Sequence, residues 1–381
     1  MRKKRPVVLL LLLIISHVVD SQDTARIGLN GYLKFLHEAD VLHHPDTLLT
    51  GQLLHQRMNF RADAGSGWHF RASLRTRFYY GQNITLVPDF SQLLKQRQQL
   101  VDLQLLLVDE EEAVLFMESD RLNISWQDEH WNICLGRQRV NWGINLLWNP
   151  LDIFNTYDIL DFDYEERSGT DAVRIRYNTN ENFSIDLAAA PKSDSNSVYA
   201  GLIRSHAGSY DLQWMAGMVN QQPVTGFGWA GNIGEMGFKG EVAWYPTKNR
   251  MERQLSLATT LDYGPGRGWY TYVSVLYQEK TLTGTTNLIE NTRIIPPDPK
   301  MLMPFHWSVY VGASKQLGAA WSTQSGFILG EPDNHLILTP SITCEATQDL
   351  DLLLTSQIYL AGEEAWGFTG GSVFLRMKYS F

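Results

Sequence analysis

The chain has 381 residues, with 32 Lys and Arg against 41 Asp and Glu, a net charge of −9. That balance argues against nucleic acid as a partner, and two cysteines, Cys134 and Cys344, are too few for a disulfide scaffold. Charged residues make up 19% of the chain, and the one long apolar run lies at its start.

Arg2, Lys3, Lys4 and Arg5 precede an unbroken apolar run from Val7 to Ile15, and Val19 and Ser21 stand at the small-residue spacing of a signal-peptidase site. Residues 1–21 therefore read as a secretory signal peptide. The run is too short for a membrane-spanning helix, which needs about 20 apolar residues. Taking four basic and one acidic residue from the totals leaves 28 basic against 40 acidic, a net charge of −12 for residues 22–381.

From about Arg26 onward, alternating segments of roughly ten residues recur between turn-rich breaks, as in membrane barrels. Trp68, Phe70, Ala72, Leu74 and Phe78 alternate with His69, Arg71, Ser73, Arg75 and Arg77. Val173, Ile175 and Tyr177 alternate with Arg174 and Arg176, and Leu350, Leu352, Leu354, Ile358 and Leu360 with Asp351, Thr355 and Gln357. At the end, Val373, Leu375, Met377, Tyr379 and Phe381 share one parity, and Ser372, Arg376, Lys378 and Ser380 the other. Successive side chains of a strand point to opposite faces, so each segment has one greasy and one polar face.

Short turns are expected at 64–67, 127–129, 179–182, 207–209, 264–268, 316–318 and 347–349, and longer breaks at 41–51, 82–113, 143–168 and 281–304. Short turns on one side and long loops on the other fit a transmembrane antiparallel β-barrel of about 18 strands, with 16 as the alternative if the Gly-rich region 191–253 holds fewer. Trp126, Trp131, Trp244, Tyr245, Trp269, Tyr270, Trp307 and Trp321 near segment ends are expected to form interfacial girdles. Strand one begins only a few residues after the cleavage site, which leaves no room for a plug domain and speaks against energy-coupled uptake.

The segment 143–168 is the third outer loop, after strand five. It mixes Leu146, Leu147, Trp148, Ile153, Phe154, Ile159, Leu160 and Phe162 with Asp152, Asp158, Asp161, Asp163, Glu165 and Glu166. So much apolar surface is a liability in water, so the loop is expected to fold inward onto the wall. Asn149 and Pro150 are expected to open a short helix reaching Phe154 or Asn155.

By parity, Arg57, Arg61, Arg71, Arg75, Arg77, Arg121, Arg174 and Arg176 line the inner wall, joined by Arg137 and Arg139 just before the loop. An arginine on the lipid face would cost about 2–4 kcal/mol near the midplane. Arginine rows facing Asp152, Asp161, Asp163, Glu165 and Glu166 would set a transverse field at a constriction and select solutes by charge. The alternative is that these charges pair, fill the lumen and seal it.

The stretches GRQRVNWG from Gly136 to Gly143, WNPLDIFN from Trp148 to Asn155 and DFDYEER from Asp161 to Arg167 resemble the signature of porin-like outer-membrane proteins of Gram-negative bacteria, notably the Bacteroidetes. The resemblance covers about 35 residues. It implies an outer-membrane barrel whose GRQ strand leads into an NP-x-D-x-F segment, and it does not specify the substrate. A barrel ending on Phe implies the barrel-assembly machinery as a partner, although Arg376 stands where the commonest assembly signal has Gly.

The function expected is passive passage of small polar solutes, anionic ones among them, through a barrel whose partners are outer-membrane lipid, the assembly machinery and the solute. No cofactor or metal is implied, and no motif sets the oligomeric state. A polysaccharide-export or accessory barrel and a soluble β-sandwich are the rival readings. An outer-membrane enzyme is disfavoured: the sequence has neither G-x-S-x-G nor H-E-x-x-H, and His43 and His44 near Asp46 read as a solvated loop.

Overall fold

The computed structural model describes residues 26–43, 46–95, 99–157, 159–160, 168–180, 182–192, 196–247, 253–281, 298–331, 334–362 and 366–381. Residues 1–21, expected to be a signal peptide, lie outside them.

Among the described residues, alternation becomes twenty strands in one sheet. In chain order these are β1 (Arg26–His43), β2 (Asp46–Ala64), β3 (Trp68–Gly81), β4 (Gln104–Glu110), β5 (Ala113–Gln127), β6 (Trp131–Gln138), β7 (Thr170–Asn180), β8 (Phe183–Ala190), β9 (Val198–Ala207) and β10 (Tyr210–Val219). They continue with β11 (Gln222–Ile233), β12 (Met236–Tyr245), β13 (Gln254–Gly266), β14 (Trp269–Gln278), β15 (Trp307–Gln316), β16 (Trp321–Glu331), β17 (His335–Leu338), β18 (Ser341–Glu345), β19 (Leu350–Ala361) and β20 (Gly367–Ser380). All pairings are antiparallel, and β20 closes on β1 with Lys34 opposite Lys378. Phe381 and Gly31 exchange both backbone hydrogen bonds, at 2.9 and 3.0 Å. Closure pairs the first strand with the last, so neither end of the sheet is left as an open edge to lipid.

The closed wall has eighteen staves. β17 and β18 form one stave, broken at Thr339 and Pro340, and both pieces pair with β16 and β19. Proline has no N–H to give the ladder, so the strand breaks there. β4 pairs only with the upper part of β5, where Gln104 faces Glu118, while β6 pairs with the lower part, where Leu122 faces Arg137. The second outer loop thus fills the wall that β6 vacates. The region 191–253 supplies four staves, β9 to β12, so the eighteen-strand expectation holds over the sixteen-strand one.

Outward positions carry Leu33, Phe35, Met58, Leu74, Leu135, Leu187, Leu257, Val273, Leu354 and Leu375, all exposed. An exposed apolar belt around a closed sheet is the lipid face of a transmembrane barrel. Trp131, Trp244, Trp269, Trp307 and Trp321 lie on it. Tyr245 and Tyr270 do not belong to the girdle. Each follows an outward Trp, so parity turns it inward; Tyr245 is fully buried, and Tyr270 packs against an inner apolar cluster.

Two loop expectations change. β1 and β2 run on as a tall hairpin to the pair His43 and Asp46, so 41–51 is mostly strand. The break 82–113 carries a 3-10 turn (Gln82–Leu86), a short helix (Phe90–Lys95) and β4. Cys134 and Cys344, on β6 and β18, are both free thiols.

Candidate lumenal site

Two carboxylates organise the arginines of the inner wall. The first sits at a β-bulge: Ser73 faces Arg121 and Arg75 faces Glu118, so β5 holds one more residue than β3 between these pairs. A bulge re-aims side chains, and here it turns the neighbours Asp120 and Arg121 to the same inner side. Asp120 receives Arg57 bidentately at 2.7 and 3.0 Å, Arg75 at 2.5 Å and the Ser73 hydroxyl. Arg121 lies 3.9 Å away. One strand-pair higher, Glu118 accepts from Arg77 at 2.8 Å and lies 3.5 Å from Arg75.

The second centre is Asp186 on β8. Arg174 binds it through Nε at 2.9 Å and Nη2 at 2.5 Å, Arg176 at 3.0 Å and Arg204 at 3.4 Å. Asp186 is wholly buried beneath them, while the Arg174, Arg176 and Arg204 side chains are 14%, 36% and 29% exposed. Three guanidiniums on one carboxylate leave this cluster with two positive charges facing the lumen.

Between the two centres, Arg137 grips Asp171 on β7 at 2.8 and 2.9 Å and also binds the Val101 carbonyl. It thus ties β6, β7 and the second outer loop together just before the chain leaves the wall after Gln138. Arg139 lies beyond that point and is exposed, so it does not join the row. Arg61 and Arg71 are exposed inner residues near the turn end of β2 and β3, cross-strand partners of each other; Arg61 pairs with Asp63 at 2.6 Å.

The segment from Arg139 to Leu160 packs on inward-facing side chains. Val140, Trp142, Leu151 and Ile153 join Ala188, Leu202, Met215, Val224, Ala243 and Tyr245 of the inner wall in one buried cluster. Trp148, with Leu147, Ile159 and Leu160 against it, joins Tyr272, Leu276, Tyr310 and Ile328 in another. Further on, the Leu160 carbonyl accepts from Gln357 of β19 at 2.6 Å. The segment therefore crosses the barrel from β8 to β19.

Polar side chains of the wall fix its path. Gln213 donates to the Trp142 carbonyl at 2.7 Å, and the Trp142 indole donates to Asp186 at 3.1 Å. Glu241 accepts the backbone N–H groups of Ile144, Asn145 and Leu151 at 2.5, 2.8 and 2.9 Å. Burying so much irregular backbone is tolerable only with its polar groups paired.

The loop residues do different work from that expected. Asn149 and Pro150 open a tight turn, with the Asp152 N–H bonded to the Asn149 carbonyl at 3.1 Å, and no helix follows. Asn followed by Pro favours the first two positions of such a turn. Asp152 accepts the N–H groups of Trp142 and Gly143 at 2.7 and 2.8 Å, so it braces the loop against itself. Phe154 meets Trp142 edge to face, with ring centres 5.0 Å apart. Gly143 has no room for a side chain: an added Cβ would lie 2.3 Å from Asn149 Oδ1. Asp161, Asp163, Glu165 and Glu166 lie outside the described residues.

Sequence reasoning missed Asp120, Asp186, Arg204, Gln213 and Glu241. A signal existed for two of them: Asp186 and Glu241 are single carboxylates at inward positions of otherwise apolar or Gly-rich strands, and a buried carboxylate needs partners.

The chain superposes on Acinetobacter baumannii OccAB4 with a TM-score of 0.60 at 8% identity, covering 94% of this chain and 99% of that one. It superposes on Pseudomonas aeruginosa OccK8 (OprE) with a TM-score of 0.61 at 8% identity, covering 93% and 98%. For the outer membrane protein opdK of Pseudomonas aeruginosa the TM-score is 0.60 at 7% identity, again covering 93% and 98%. The fold is that of outer-membrane barrels. No protein-family model and no curated protein sequence matches the chain. At such identities the likeness is one of architecture alone.

Proposed function

We propose that the protein is an outer-membrane, porin-like channel that passes small polar solutes passively and favours anions. The observation that carries this reading is the Asp186 cluster, where Arg174, Arg176 and Arg204 share one buried carboxylate and remain open to the lumen. Fixed positive charge in a narrow, low-dielectric passage lowers the barrier for an anion and raises it for a cation. The inward segment narrows the lumen beside this cluster, where the Trp142 indole donates to Asp186, and the acidic residues Asp161, Asp163, Glu165 and Glu166 are proposed to take part in selecting the solute. Permeation needs no bond-making, so the protein is assigned no catalytic role and no cofactor.

The same reading takes residues 1–21 as a secretory signal, residues 22–381 as the barrel, the assembly machinery as the partner for insertion, and the Bacteroidetes-type porin-like proteins as relatives. The test is single-channel conductance of the refolded protein in a planar bilayer under a salt gradient. Discrete current steps with an anion-selective reversal potential are expected. A folded barrel that passes no current would favour a sealed or export barrel, a second reading motivated by the burial of Lys34, Arg57 and Arg75 on the inner wall.

A further inference from the structure

The lumen has a second wall of different chemistry. Between the inward segment and the strands β14 to β19 lies a cavity of about 440 Å³, within the range of about 300–1,000 Å³ usual for small-molecule sites. Among the described residues, no Lys, Arg, Asp or Glu lines it. The recess lies beside the break in the β17–β18 stave, where Thr339 and Pro340 leave the regular ladder.

Its hydrogen-bonding capacity has a definite polarity. Thr339, Ser341 and Thr355 line it, and each hydroxyl already donates its hydrogen to a backbone carbonyl: of Gly326 at 3.2 Å, of Gln324 at 3.0 Å and of Pro340 at 3.1 Å. A hydroxyl so committed presents lone pairs only. On the other side, Gln324 donates to the Tyr272 hydroxyl at 3.2 Å, which donates to the Tyr310 hydroxyl at 3.2 Å. The relay ends on the O–H of Tyr310, which has no acceptor among the described residues and is left to donate to a ligand. Leu147, Leu160 and Ile328 supply an apolar surface across the same space.

A wall of committed hydroxyls that accept, a terminal donor on Tyr310 and no charge among the described residues describe the ligand in complement. A carboxylate or phosphate brings acceptors alone and would meet these acceptors, with no cation among the described lining residues to balance it. A neutral hydroxyl both donates and accepts, and the C–H face of a sugar ring suits the leucines. We propose that this cavity is a subsite for a neutral hydroxylated ring, a saccharide or cyclic polyol, separate from the arginine cluster at Asp186. The inference rests on the inward course of the segment described above and uses the channel of the proposed function only as a route of access.

The test is calorimetric titration of the full-length protein, folded in detergent, with maltose as the neutral probe and sodium gluconate and sodium phosphate as anionic ones. Saturable maltose binding is expected. Tyr310→Phe, which removes the terminal donor and keeps the ring, should weaken it about tenfold, and Thr355→Val should act in the same direction. Gluconate, which carries hydroxyls and a carboxylate, should bind at least about tenfold more weakly than maltose. Heat-modifiable mobility on gels establishes that each variant is folded. Absent maltose binding, or binding equal in wild type and both variants, overturns the subsite. A protein that conducts ions yet ignores maltose loses the subsite and keeps the pore; one that binds maltose yet passes no current keeps the subsite and loses the pore.

Discussion

Leu151 donates its backbone N–H to Oε2 of Glu241 at 2.9 Å across 90 positions of the chain, and Oε1 of the same wholly buried carboxylate takes the N–H groups of Ile144 and Asn145. One side chain of β12 thus holds both arms of the inward segment. Glu241→Ala strands two buried donors and one half-buried one, at about 1–3 kcal/mol for each buried donor. The barrel, held by its own ladder, should still form while the segment loosens. Single-channel conductance should then rise by about twofold or more, the direction expected when a constriction opens, and protease should cut near residues 143–155. Unchanged current together with unchanged resistance to cleavage would show that apolar packing alone holds the loop.

Charge reversal at the Asp186 cluster tests selectivity. The double variant Arg176→Glu and Arg204→Glu turns a cluster of charge +2 into one of −2. The anion-to-cation permeability ratio, read from the reversal potential in a potassium chloride gradient, should fall by roughly threefold or more. High salt should blunt the difference, because the exposed guanidiniums are screened. A ratio that does not move would remove this cluster from the permeation path.

Asp120→Asn should be costly for stability. The carboxylate is 1% exposed and is gripped by Arg57 and Arg75, themselves 1% and 4% exposed. Taking one partner from such a buried network costs about 3–5 kcal/mol, because the remaining charges lose their compensation. Reversible urea unfolding in detergent should show a lower midpoint at unchanged slope. Asp63→Asn is the control: its partner Arg61 is 55% exposed, so the loss should stay within about 1 kcal/mol.

Asp128, in the turn between β5 and β6, accepts the N–H groups of Trp131 at 2.6 Å and His130 at 2.8 Å, and these bonds hold its carboxyl below the ordinary value of 3.8. A depressed folded value means that the ionised form supports the turn. That support is complete above about pH 4 to 5 and is lost as pH falls through the lowered folded value. Wild type should therefore lose a small increment of melting temperature on acidification through that window that Asp128→Asn does not lose. Parallel acid profiles for the two proteins would refute the assignment.

How far the sequence could be read depended on the kind of information involved. Strand parity was legible because a lipid belt tolerates so little error: Leu375 and Arg376 had to face opposite ways, and they do. The inner placement of Arg57, Arg75, Arg77, Arg174 and Arg176 followed from the same rule. Partners were not legible. The expectation set the arginines against Asp152, whereas Asp120, Glu118, Asp171 and Asp186 of the wall take them and Asp152 binds its own loop. Parity says which face a residue occupies and nothing about which residue stands beside it.

What the sequence by itself determined is the barrel: period-two alternation, turn spacing and the apolar outer face admit few other ways to bury this much strand in a membrane. What only the tertiary structure decided is how the lumen is furnished. The bulge that turns Asp120 and Arg121 together, the early exit of β6 that lets β4 into the wall, the hold of Glu241 on Leu151 and the relay from Gln324 to Tyr310 all join residues far apart in the chain. Register and long-range hydrogen bonding are set by closure of the whole sheet, whereas alternation is set by each strand alone.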